Sequence, residues 1–165
     1  QPFAFAPRRR PLDRSSLLDL ALARGRAAGL EYAGHLTPVE AHQLHEEGAA
    51  VIVDVRTRPE WEFVGHVEGT PLIEWRPYGA TAPDPAFVDK LAARYPRDST
   101  ILLLCRSGVR SHHAAIAAAR AGFTRVFNIL DGMRRGEFPP KPHEPRWCTY
   151  CAYSTICRKD YVGDE

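Results

Sequence analysis

Three short apolar runs constrain this chain most: AAVIVDV at residues 49–55, STILLL at 99–104 and RVFNI at 125–129. Each is too short for a typical globular helix and carries few polar residues. A strand wet on one face alternates apolar and polar side chains, so runs of this kind read as strands buried on both faces. The stretches between them read as helices. In TPVE, residues 37–40, Thr37 is an N-cap, Pro38 takes the first helical position and Glu40 closes a capping box; that helix should stop at Gly48. Upstream, Ser15 or Ser16 is expected to cap a helix to about Gly29, with Leu17, Leu18, Ala21 and Leu22 as its packed face. Residues 84–95, DPAFVDKLAARY, read as a helix ended by Pro96, and residues 111–121 as a helix ended by Gly122. A loop or short helix is expected through Pro59 to Phe63, and TPLIEW, residues 70–75, as a short strand. Strands that alternate with helices define the α/β class, here a central, mostly parallel sheet with helices on both faces.

The 165 residues suit one domain with modest extensions. With 22 basic and 20 acidic residues the net charge is only +2, too balanced to argue for nucleic acid. No apolar run approaches the roughly 20 residues of a membrane span. QPFAFAPRRR does not read as a signal peptide, because its charges follow a very short apolar segment. Cysteine is sparse for a disulfide scaffold. A reducing, cytoplasmic location is therefore expected.

The chemistry concentrates where STILLL ends, at CRSGVRS, residues 105–111. Ligands of open parallel sheets sit beyond the carboxyl ends of strands, near helix N-termini. The loop after Cys105 offers successive backbone N–H groups, which Gly108 lets curl into a concave nest. The following helix adds the positive end of its dipole, and Arg106 and Arg110 add formal charge. These features favour a thiolate at Cys105 and would hold an anionic substrate. Free cysteines are commonly inert core residues, but a core cysteine has no need of Arg, Ser, Gly and Arg immediately after it.

CRSGVRS resembles the active-site loop of rhodanese domains, which are single-cysteine sulfurtransferases. DVRTRPEWEFVGHVEGT, residues 54–70, is similar to the family's upstream signature, with Asp54, Arg56, Glu60, Gly65, His66 and Gly69 on the pattern. LTPVEAHQL and FTRVFNILDGM also fit, so the resemblance covers about residues 34–133. Residues 1–33 are then an N-terminal arm and helix, and 134–165 an irregular tail rich in proline and cysteine. The resemblance implies a rhodanese-like fold and a two-step reaction. Cys105 takes a sulfane sulfur from a donor such as thiosulfate and passes it, as a persulfide, to a thiophilic acceptor. Arg106, Ser107, Gly108, Val109, Arg110 and Ser111 would bind substrate, with the loop N–H groups on the persulfide and Arg106 orienting the donor. Arg110 either does the same or anchors the loop. Asp54, Arg56 and Glu60 read as structural supports, with Arg56 an ion-pair partner for Glu60. His66 reads as structural; His112 and His113 read as solvated, with partial burial of one of them near the site as the alternative. No cofactor is required. The expected partners are a small anionic sulfur donor and a thiol or protein acceptor, with neither nucleic acid nor membrane.

Two rival readings stand beside this one. Cysteine-dependent phosphatases also combine a cysteine, a nest of N–H groups and an arginine. Their loop is one residue longer than the four residues between Cys105 and Arg110, and the shorter cradle suits one sulfur atom better than a phosphate. The other rival is a non-catalytic rhodanese-like binding or regulatory module.

The tail departs from the family pattern. Cys148, Cys151 and Cys157, spaced two and five residues apart, are candidate ligands for zinc or an iron–sulfur cluster, with His143 as a fourth. Free thiols without a role, and a built-in sulfur acceptor, remain open readings of the same residues.

Overall fold

A computed structural model of the chain describes residues 12–132. Four helices and four strands alternate: α1 (Arg14–Ala27), β1 (Gly34–Leu36), α2 (Pro38–Glu46), β2 (Val51–Asp54), α3 (Phe87–Arg94), β3 (Ile101–Leu104), α4 (Val109–Arg120) and β4 (Val126–Ile129). A five-residue π-helical turn, Glu60–Val64, follows β2, where a loop or short helix was expected.

All pairings in the sheet are parallel, in the order β1-β4-β3-β2. Side chains alternate between two buried faces. Leu36, Ile52, Leu102, Leu104, Phe127 and Ile129 pack under Leu17 and Ala21 of α1 and Ala41 and Leu44 of α2. Val53, Ile101, Leu103 and Val126 pack against Phe87 and Leu91 of α3 and Ala114, Ala115 and Ala118 of α4. The expected α/β architecture, with helices on both faces, is therefore present. No described helix is long and apolar enough to cross a membrane.

The capping box of α2 forms as its sequence predicts: Thr37 N–H donates to Glu40 at 2.9 Å, and Glu40 N–H returns to the Thr37 hydroxyl. At α1 the expectation needs correction. Asp13, not Ser15 or Ser16, is the cap and accepts from Ser16 N–H at 2.9 Å. A carboxylate one turn ahead of the leucines reaches the free N–H groups, so both serines fall inside the helix.

TPLIEW does not form a full strand. It makes a single bridge, Leu72 to Asp54, flanked by Ile73 N–H to Asp54 C=O at 2.9 Å and Trp75 N–H to Val55 C=O at 3.1 Å. Pro71 has no N–H to give a ladder, which restricts this segment to an edge contact. The strand Gly34–Leu36 was not foreseen, because GHL is too short to show a pattern. Its position depends on close backbone approach to α1: a Cβ on Gly34 would stand 1.9 Å from Ala21 C=O, and one on Gly25 2.2 Å from Ala33 C=O.

Gly34→Ala should therefore push α1 off the sheet edge. The expected cost is about 1–3 kcal/mol, the range for overpacking, measured by urea unfolding. Unchanged stability would show that the α1–β1 contact yields without cost.

Candidate active site

β3 carries Cys105 to the carboxyl edge of the sheet, between β2 and β4. Val55 N–H holds the last β3 carbonyl, Leu104 C=O, at 2.9 Å. The Cys105 side chain is 1% exposed and packs in the same cluster as Val55 and Ala115. The chain turns back over it at Gly108, whose φ of 88° is a left-handed conformation suited to glycine. That turn aims Gly108 N–H at Cys105 Sγ, 3.1 Å away.

Helix α4 begins at Val109, two residues earlier than expected, which places Ser111 in its first turn. From there the Ser111 hydroxyl lies 3.2 Å from Cys105 Sγ and 2.6 Å from Asn128 Oδ1. Ser111 has one proton for these two neighbours, so it donates to one of them at a time. Asn128 Nδ2 donates to Gly108 C=O at 3.1 Å, which fixes the amide orientation and the loop together.

Sequence reasoning missed Asn128. The signal was present: an amide inside the apolar run RVFNI has to find partners when buried, and here it is 3% exposed. Gly132, of the ILDG corner after β4, is a second missed support. A Cβ there would stand 1.9 Å from Cys105 C=O.

The upstream residues form two separate ion pairs, which corrects the expected Arg56–Glu60 pairing. Arg56, 1% exposed, turns inward and binds Asp54 through Nε and Nη2, at 3.0 and 2.7 Å, and donates to Gly65 C=O at 2.7 Å. Glu60 instead takes both Nη groups of Arg110, at 2.6 and 2.8 Å, and accepts from Thr57 N–H and hydroxyl at 3.0 and 2.8 Å. The reason is placement. Arg110 in the first turn of α4 projects across to the π turn, whereas Arg56 continues directly from the buried end of β2.

The Arg110 guanidinium brings Glu60 down to about 2, against the opposing effect of partial burial and with help from the Thr57 donors. The same bond raises Arg110 above its ordinary value. Arg110 is thus engaged as a loop anchor, while Arg106 and Ser107 are exposed, and Val109 is 60% exposed.

His66 stacks on Trp61 at 3.6 Å with an interplanar angle of 7°, and its Nδ1 lies 3.1 Å from Trp61 C=O. His112 is half-buried, which corrects the solvated reading in favour of its alternative, with Nδ1 2.7 Å from the Tyr32 hydroxyl. His113 is exposed as expected. Cys148, Cys151, Cys157 and His143 lie outside the described residues. Among the described residues no group of three or more His, Cys, Asp or Glu is placed to hold a metal ion.

Fold and loop together define a parallel α/β domain with a single cysteine set in a nest at a strand's carboxyl end. The rhodanese-like domain model matches residues 37–136, and the chain belongs to that family. A tRNA uridine(34) hydroxylase of Chlamydia muridarum is 29% identical over 100 residues, covering 60% of this chain and 29% of the relative. A probable adenylyltransferase/sulfurtransferase of Mycobacterium tuberculosis, MoeZ, is 31% identical over 99 residues, covering 59% of this chain and 23% of the relative. The chain therefore spans less than a third of the length of these curated relatives.

Among solved structures, Rv0390 of M. tuberculosis is 39% identical with a TM-score of 0.54, covering 61% of this chain and 80% of that one. A Rhodopseudomonas palustris protein of unknown function, described as a possible tyrosine phosphatase, is 26% identical with a TM-score of 0.50, covering 83% of this chain and all of that one (100%).

The Glu60–Arg110 pair predicts a pH signature. A depressed carboxylate contributes stability that is full above its unfolded value, 4.5, and is lost as pH falls through about 2. Glu60→Gln should be less stable than the parent at pH 7, by at most about 1 kcal/mol because the pair is partly open to water. The gap should close toward pH 2 in denaturant titrations. A gap independent of pH would assign the loss to packing.

Proposed function

We propose that the chain is a sulfurtransferase that moves a sulfane sulfur from a small anionic donor such as thiosulfate to a thiophilic acceptor through a persulfide on Cys105. The observation that carries this reading is the pair of donors on Cys105 Sγ, Gly108 N–H at 3.1 Å and the Ser111 hydroxyl at 3.2 Å. Both stand ready for negative charge on sulfur at the start of α4.

In the first step the Cys105 thiolate attacks the outer sulfur of thiosulfate. The S–S bond of the donor breaks and sulfite leaves with the bonding pair. In the second step the acceptor attacks the outer persulfide sulfur, and the pair from that bond returns to Cys105. No cofactor enters either step, and ping-pong kinetics follow. The exposed Arg106 is the guanidinium that attracts the donor, since Arg110 is committed to Glu60. A free thiol with this task suits the reducing cytoplasm.

The description of the R. palustris neighbour favours a second reading, phosphate-ester hydrolysis. Against it stand the four-residue spacing from Cys105 to Arg110 and the bidentate hold of Glu60 on the arginine that a phosphate would need.

Intact-mass spectrometry after thiosulfate treatment tests the choice. Gain of one sulfur atom that cyanide removes is the expected result; no gain, with turnover of an aryl phosphate, would replace the reading. Cys105→Ser should drop sulfur transfer to background with the fold retained by circular dichroism, because a hydroxyl is a far poorer nucleophile at neutral pH. Arg106→Ala should raise the thiosulfate KM by about tenfold, with little change in discharge to a neutral thiol, as loss of ground-state anion binding requires. An unchanged KM would remove Arg106 from the donor site.

A further inference from the structure

Beside the Cys105 loop lies a groove of about 600 Å³. One stripe of α4 lines it, including Val109, Arg110, His113 and Arg120, and Trp75 and Arg76 line it from the segment that bridges to β2. No aspartate or glutamate is among the lining residues. Arg110 and Arg120 have partners elsewhere, Glu60 and Glu31. Arg76 is exposed and pairs with no carboxylate among the described residues. The uncompensated positive charge of the groove is therefore that of Arg76, which shares the lining with the paired Arg110 and Arg120.

Resting on the sulfur-transfer reading, we propose that this groove is the acceptor site, and that its occupant is an extended acidic peptide segment bearing the acceptor thiol. Length argues for a peptide. α4 has 12 residues, about 18 Å at ~1.5 Å per residue. That matches roughly five residues of extended chain at ~3.3 Å each, and a single small thiol would leave most of it empty. Surface chemistry argues against single-stranded RNA, which binds through rows of stacked aromatic rings. Trp75 is the only Trp, Tyr or Phe among the lining residues, and its ring already packs at right angles to Phe87 at 5.1 Å.

The groove begins at Val109, next to the Gly108 turn over Cys105. A peptide running along α4 therefore brings a terminal thiol to the loop. Its thiolate forms a bond to the outer persulfide sulfur as the bond from that sulfur to Cys105 Sγ breaks. The bonding pair stays on Cys105, and the product is a peptide persulfide. The exchange is redox-neutral and needs no further reactant.

The test uses two synthetic five-residue peptides, Glu-Glu-Asp-Gly-Cys of the proposed acceptor type and Lys-Lys-Lys-Gly-Cys as its basic control. The persulfide-loaded 165-residue chain should discharge to the acidic peptide about tenfold faster. The ratio should collapse near 1 M salt, where screening is almost complete, and in Arg76→Glu. Equal rates for the two peptides, or a ratio indifferent to Arg76→Glu, would overturn the proposal. Binding of the acidic peptide with serine in place of its cysteine, followed by Trp75 fluorescence against a Trp75→Phe control, reads the groove without any sulfur chemistry. Absence of binding sinks the groove whatever the enzyme does, and so does tighter binding of a single-stranded oligonucleotide. Failure of Cys105 to load, with peptide binding intact, instead sinks the sulfurtransferase reading.

Discussion

β3 is buried on both faces and paired on both edges, and the rest of the domain follows from that condition. Ile101, Leu102, Leu103 and Leu104 are all 0% exposed. Leaving such a strand in water on either side would forfeit about 1.5–3 kcal/mol for each large side chain uncovered. The chain therefore has to supply a strand on each edge and helices above and below. Parallel pairing requires a crossover between neighbouring strands, and the helices provide both the crossover and the cover. Function inherits this geometry: the residue after Leu104 emerges where two neighbouring strands also end, with a helix N-terminus in front of it.

The loop at that edge is held from three directions by interactions of different kinds. Asn128 of β4 holds it from below by an amide that bonds Ser111 and Gly108 C=O. Gly132 meets it from the side, where the loss of a Cβ admits the Cys105 carbonyl. Glu60 holds it from the π turn through Arg110. The buried contacts are neutral hydrogen bonds and close packing, which carry no charge into the core. The formal charges lie at the partly exposed rim, where their desolvation is smaller. The exception is Asp54–Arg56, with both side chains almost fully buried (0% and 2% exposed). That pair answers its own burial, since the carboxylate takes two guanidinium nitrogens and the Arg56 N–H, and Gly65 C=O takes a further proton.

The sheet and the Cys105 loop were legible because both rest on local signals. Continuous apolar runs define doubly buried strands, and a glycine between arginines after a cysteine defines a nest. The capping box at Thr37 is local in the same way. What escaped was whatever depends on two segments meeting. GHL carries no periodicity, and it becomes a strand only because Gly34 and Gly25 let α1 close upon it. Asn128 reads as an ordinary strand residue until β4 is laid beside the loop. Arg56 and Glu60, four residues apart, suggested a pair, but strand β2 turns one inward and the π turn carries the other toward α4. Ion-pair partners across a turn are set by tertiary direction, and spacing alone leaves them open.

The short spacing from Cys105 to Arg110 has a consequence for how the nest is charged. With four residues between them, the loop curls tightly enough for one N–H and one hydroxyl to reach Sγ, and helix α4 starts at once. Arg110 then falls on the first turn of α4, its guanidinium drawn away to Glu60. The space over the sulfur is consequently bounded by backbone and a small hydroxyl. The fixed dipole of Gly108 N–H can stabilise charge on one atom without the bulk or reach of a guanidinium and needs no reorganisation when that charge appears, whereas the Ser111 hydroxyl has to turn from Asn128 to the sulfur. A second guanidinium, Arg106, is exposed outside the nest. The two arginines of the loop thus differ in setting, one exposed and one paired, and the Ser111 hydroxyl, bonded to Asn128, links the nest to the sheet.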